Sequence, residues 1–129
     1  MNCPRFLPPV RKLEPNSPEA LQSLAWILAT HPNASLRNGN EAVYLASRAQ
    51  EITQSKSPEA LDALAAALAE QGEFDRAVQT AHNAADLAQR SGKAKLAASI
   101  IWRIGQYRAR AAYRDQTLVA GADVGEAVR

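Results

Sequence analysis

The sequence predicts an all-α protein built from stacked helix pairs, and three observations carry that prediction. The pentapeptide Ser17-Pro18-Glu19-Ala20-Leu21 recurs unchanged as Ser57-Pro58-Glu59-Ala60-Leu61, forty residues later. Each copy opens the pattern Leu-x-x-Leu-Ala-x-x-Leu, at Leu21, Leu24, Ala25 and Leu28 and again at Leu61, Leu64, Ala65 and Leu68. Aromatic residues make up only 5% of the chain, and alanine supplies much of the apolar content, which suits closely approaching helices better than a sheet. A fixed internal period of about 20–50 residues is the signature of a helical repeat array.

The elements follow in order from local chemistry. Residues 1–16 hold four prolines (Pro4, Pro8, Pro9 and Pro15) and are expected to form a leader without a long helix. The first helix then has a well-marked start. Ser17 suits the N-cap, Pro18 fits the first turn because its missing N–H has no partner there, and Glu19 complements the helix dipole. Leu21, Leu24, Ala25 and Leu28 form one apolar stripe. His31-Pro32 and Asn38-Gly39 bracket a loop, and residues 41–55 form a second helix with Ala42, Leu45, Ala46, Ala49 and Ile52 inward. Ser57-Pro58-Glu59 starts a third helix that Gly72 ends. A fourth runs over 74–90 with Ala77, Ala81, Ala84 and Ala88 on its small face, and Ser91-Gly92 breaks the chain again. A fifth is expected over 93–113, with Leu96, Ile100, Ile104, Tyr107 and Ala111 along one side. The division expected is a leader at 1–16, a repeat domain at 17–115 and a flexible tail at 116–129, whose glycines and scarce large apolar residues favour fraying.

Composition narrows the function. The 129 residues fit one domain, and 47% hydrophobic with 22% charged residues is ordinary globular material. A net charge of +2 forces no partner. Cys3 is the lone cysteine, so no disulfide framework or paired-cysteine metal site arises. No run of about 18 apolar residues is present to span a membrane, and the first residues lack the apolar core of a signal peptide. A cytoplasmic protein is the expectation.

The offsets define the repeat. First helices are 40 residues apart (Leu21 to Leu61), whereas second helices are only 35 apart (Ala42 to Ala77). The first pair therefore carries about five extra residues in the turn within 30–40, and the underlying unit is about 34 residues. On these residues the stretch 17–114 resembles the tetratricopeptide repeat, with 57–90 as its best copy: Leu61, Leu64, Ala65, Leu68, Gly72, Phe74, Ala77, Ala81 and Ala84 fall on the family's packing positions. Leu61 and Leu68 replace the family's aromatics and Ala65 its glycine. The longer first turn is similar to a short bacterial variety found within longer multi-repeat chains. The resemblance implies a right-handed superhelical stack of two helix-turn-helix repeats plus a C-terminal capping helix, and a role in binding a protein or peptide along a concave groove.

No constellation of catalytic residues emerges. Cys3, His31 and His82 are expected in a tail, a loop and a helix, and no phosphate-cradling glycine loop, metal-binding helix or nucleophile turn is recognisable. The expectation is a non-enzyme without cofactor or metal. The sharper candidate is Trp26. At 100° per residue from Leu21 it falls near 140°, beside Glu19, Gln22 and Thr30 and off the leucine stripe, which clusters within about 60°. In the resembled family that side of the first helix lines the groove. The candidate groove residues are Glu19, Gln22, Trp26, Thr30, Asp62, Ala66 and Glu70, with Ala66 leaving a shallow space beside Trp26. A cover for Trp26 by the leader, the long turn or a dimer partner is the competing expectation. The carboxylate clamp of the family's chaperone-binding members has no basic residues here, and Asp62 and Glu70 would repel it. Residues 57–75 are acidic and the last helix is basic through Lys93, Lys95, Arg103, Arg108, Arg110 and Arg114. Complementary charges on adjacent helices are favoured over nucleic-acid binding. Self-association into a homodimer, or a remnant of a larger repeat protein, is the alternative to peptide binding.

Overall fold

The computed structural model describes residues 17–118, and among them the regular structure is entirely helical. Five α-helices follow one another: α1 Pro18–Thr30, α2 Gly39–Ile52, α3 Pro58–Glu70, α4 Phe74–Arg90 and α5 Ala94–Arg108, with a short 3₁₀ turn, Ala34–Leu36, between α1 and α2, and residues 116–118 are helical again. No helix among the described residues is long and apolar enough to cross a membrane. The leader at 1–16 and residues 119–129 lie outside the described residues.

The starts and stops are those the sequence specifies. Ser17 and Ser57 cap α1 and α3, their hydroxyls accepting from Ala20 N at 3.3 Å and Ala60 N at 3.2 Å. Gly72 and Gly92 adopt left-handed φ values of 84° and 78°. Each closes its helix with a paired bond set, Glu73 N to Leu68 O at 2.9 Å after α3 and Lys93 N to Ala88 O at 2.8 Å after α4. Two boundaries differ from expectation. α2 ends at Ile52 rather than near 55, because Gln54 and Ser55 turn into the left-handed region. α5 ends at Arg108 rather than near 113, because Arg110 does the same with φ 65°.

Helices consecutive in the chain pack on one another, and α1 also packs on α3. α3 is consequently central. Its sequence is apolar all round, and one side (Ala60, Ala63, Ala66, Ala67) joins a core with α1 and α2 while the other (Leu61, Ala65, Leu68, Ala69) joins a core with α4 and α5. Alanines fill most of both cores, so the helix backbones approach closely; Ile100, Ile104 and Tyr107 supply the bulk on the α5 side. Leu24 and Ile52, expected inward, are 43% and 41% exposed, since the described residues put no helix beyond α1 and α2. α1, α3 and α5 begin at the same end of the molecule, where Ser57 Oγ donates to Gln22 and Lys93 bonds Glu59.

Ala81 and Ala84 are fully buried in the small face of α4. Replacing either by leucine is expected to overpack the core and cost about 1–3 kcal/mol in denaturant unfolding, with the helical circular dichroism signature retained.

Candidate functional site

α1, α3 and α5 share one face, and that face is built around a buried ion pair. Arg103 stands one residue before Ile104 and three after Ile100, so the inward stripe of α5 carries it into the core side. There its Nη2 donates to Asp62 Oδ2 of α3 at 2.6 Å, with both side chains 8% exposed. Burial pushes the Asp62 carboxyl above its ordinary range, and Arg103 offsets that only in part. Burial works in the opposite sense on Arg103, but Asp62 outweighs it and holds the guanidinium cation firmly protonated. Burial, then Asp62, pushes the nearby Tyr107 hydroxyl upward as well.

The flat faces of the guanidinium meet aromatic rings. Arg103 Cζ lies 4.9 Å from the ring centre of Trp26 on α1 and 5.1 Å from that of Tyr113. Tyr113 in turn leans on Trp26, centroids 5.8 Å apart, and meets Trp102 edge-on at 6.2 Å. Tyr113 belongs to no helix. It lies in residues 111–115, which leave α5 and run back across the shared face of α1, α3 and α5 before the chain turns helical again at 116–118.

That segment is fastened at successive residues. Arg114 reaches Glu70 at 2.8 Å. Asp115 accepts the indole N–H of Trp26 at 2.7 Å, and its backbone N–H donates to Thr30 O at 2.9 Å, satisfying a carbonyl left over at the end of α1. Leu118 forms one wall of an open cleft of about 360 Å³ whose other walls are Gln22, Ser23, Trp26, Ile27, Glu59, Asp62 and Ala63. Partial burial would raise the Asp115 carboxyl, but hydrogen bonds from Thr117 and Trp26, with Arg103 nearby, hold it below its ordinary value of 3.8. Lys93 overcomes the effect of partial burial on Glu59 in the same way.

The seven candidate groove residues are therefore placed unevenly. Trp26 and Gln22 line the cleft, Trp26 half-buried. Glu19 is exposed near the start of α1, in an adjoining polar hollow with Pro58 and Lys93. Thr30 is buried, its hydroxyl donating to Trp26 O at 2.7 Å, and acts through its carbonyl. Asp62 is largely buried in its ion pair but also forms part of the cleft wall, and Ala66, 1% exposed, belongs to the core rather than to an open space beside Trp26. Both follow from the central position of α3. Glu70 is bridged between Arg114 and Arg37, whose Nε donates to it at 3.1 Å while Nη1 donates to His31 O and Pro32 O. The long α1–α2 turn is thus tied to the end of α3. It does not supply the cover seen here on Trp26, which is the segment after α5.

Residues that sequence reasoning missed are Arg103, Tyr113 and Asp115. Only Arg103 left a signal, a cation inside an apolar stripe. The basic character of α5 is largely met internally: Lys93 pairs with Glu59 at 2.7 Å, Arg110 lies 3.8 Å from Asp75, and Arg108 donates to His82 Nε2 at 3.1 Å. Among the described residues no group of three or more His, Cys, Asp or Glu side chains is close enough to hold a metal. No protein-family model matches the sequence, and no curated protein and no solved structure is significantly similar to it.

Removing one member of a buried ion pair strands the other. Asp62→Ala alone is expected to destabilise the fold by about 3–5 kcal/mol in denaturant unfolding, whereas Asp62→Ala with Arg103→Met should recover most of that loss. Acid should act on the segment separately. The Asp115 value is depressed on docking, so its contribution is complete above 3.8 and is lost as the pH falls below it. Asp62 runs the other way, its burial cost easing on protonation. Trp26 fluorescence in a Trp102→Phe background should accordingly shift red below about pH 4 while helical ellipticity is still retained.

Proposed function

We propose that this chain is a non-catalytic protein-interaction module of the cytoplasm, a right-handed stack of two tetratricopeptide-like helix pairs closed by α5, which takes a peptide along the face shared by α1, α3 and α5. One observation carries the reading. A stretch of backbone outside the helices, residues 111–115, lies on that face, held by a main-chain hydrogen bond at Thr30 and by side-chain contacts at Trp26 and Glu70. A surface that seats residues 113–115 in this way offers the hydrogen-bonding groups and the aromatic ring that peptide recognition uses. Trp26 supplies a large ring and an N–H donor at its centre, the side-chain type most enriched where binding energy concentrates.

Self-association is the second reading, whether as a homodimer or as a remnant of a longer repeat array. It is favoured by Ile101 and Trp102, 51% and 62% exposed on α5, with Ala98 and Gly105 at helical spacing beside them. Nucleic-acid binding ranks last, since Lys93, Arg103, Arg108, Arg110 and Arg114 all have partners within the chain.

Under the peptide-binding reading, Trp26→Ala should weaken a partner captured from the native host by more than about 1–2 kcal/mol in titration calorimetry, with helical content nearly unchanged. Partner affinity unaffected by Trp26→Ala would sink it. A stable dimer by light scattering that buries Trp102 would support the second reading instead.

A further inference from the structure

The chain leaves α5 at a residue poorly suited to the turn. After α3 and α4 the left-handed position is glycine, but after α5 it is Arg110. The bonding pattern is otherwise the same, with Ala111 N donating to Gln106 O and Arg110 N to Tyr107 O, both at 2.9 Å. A residue with a Cβ is disfavoured there. Nor does the local sequence ask for a stop. Ala109-Arg110-Ala111-Ala112-Tyr113 contains neither glycine nor proline and is dominated by strong helix formers, which is why the sequence predicts a helix to 113.

What ends the helix is the docking that follows it. Tyr113 against Trp26 and Arg103, Arg114 on Glu70, and Asp115 on Trp26 and Thr30 all require the chain to reverse direction at Arg110. A continued helix would instead carry residues 109–115 about 10 Å further along the α5 axis, past the end of α1. The two arrangements exclude one another. Local propensity favours one, and the contacts on the cleft favour the other.

We infer that residues 109–118 are a displaceable internal ligand. In the closed form they cover the face at Trp26, Arg103, Glu70 and Thr30, with Leu118 at the edge of the adjoining cleft; in the open form 109–113 lengthen α5, and that face takes a segment of a partner protein with the same order of chemistry. That order is an aromatic ring, a cation, a carboxylate, and an aliphatic side chain three residues after the carboxylate. The ring is received by Trp26, Trp102 and Arg103, the cation by Glu70, and the carboxylate by the indole N–H of Trp26. The aliphatic side chain takes the place of Leu118 beside Ile27 and Ala63. The inference rests on the peptide-binding reading above and adds to it both the partner's chemistry and a built-in competitor.

The probe is a fluorescein-labelled peptide of the sequence of residues 112–118, titrated into full-length proteins and read by anisotropy. Tyr113→Ala/Asp115→Ala, which unseats the internal segment, should bind the peptide at least about tenfold more tightly than the unmodified chain, because the competent fraction rises. It should also gain helical ellipticity as α5 lengthens. Arg110→Gly, which relaxes the turn and discourages the longer helix, should bind more weakly than the unmodified chain. Equal affinities in the three proteins, or no binding by the double variant, would overturn the internal-ligand inference. A segment that docks only between two copies, seen as an obligate dimer by light scattering, would overturn it too. The underlying reading fails on a different result: peptide binding by the double variant that Trp26→Ala leaves unchanged.

Discussion

The Asp62–Arg103 pair is the constraint around which the rest of this face is arranged. Two charges 8% exposed carry a large desolvation cost, and one short hydrogen bond between them offsets it only when the remaining surfaces are also satisfied. Here the guanidinium faces are covered by Trp26 and Tyr113, whereas the buried Asp62 Oδ1 and Arg103 Nε have no hydrogen-bond partner among the described residues, so the cost is offset only in part. Taking Tyr113 away would expose one face of a cation already shifted toward an apolar setting. The pair therefore links α3 to α5 directly and links both to the segment that closes over them.

The helical plan was legible because it is written in local chemistry. The two Ser-Pro-Glu starts, the glycines at 72 and 92 and the leucine and alanine spacing each act within a turn or two of chain, and the structure follows them closely. The complementary charges of the acidic third helix and basic fifth helix were legible too, because side chains bridge α3 and α5 at Glu59–Lys93 and Asp62–Arg103. What failed is instructive. Leu24 and Ile52 satisfy the inward pattern yet remain substantially exposed, because periodicity names a face and not the element that covers it. Asp62 and Ala66 satisfy the groove pattern yet are buried, because a helix packed on both sides has little outer face left.

The closing segment could not have been read from the sequence, and the reason is physical rather than accidental. Residues 109–113 have the composition of a helix, and their reversal depends on partners far away in sequence: Asp115 with Trp26 and Thr30, and Arg114 with Glu70. Propensity is a weak prior that tertiary contacts override, and the override here occurs where the cleft lies. The sequence did place Trp26 off the leucine stripe, so the position of the cleft was legible even though its occupant was not.

The manner of docking bears on how firmly the segment is held. Among the described residues its contacts are few: one backbone hydrogen bond, one indole hydrogen bond, a partly buried ion pair, two aromatic contacts and the guanidinium of Arg103 against Tyr113. Each net hydrogen bond contributes about 1 kcal/mol, while ordering each residue costs about as much in backbone entropy alone. Against those, the segment forfeits the helix its own sequence favours and forces Arg110 into a disfavoured conformation. By contrast, the cores on either side of α3 are alanine-packed and nearly closed to solvent. Stability in this molecule is thus divided by position: the helix stack is held by burial on every side of α3, and the segment after α5 by a short set of polar and aromatic contacts.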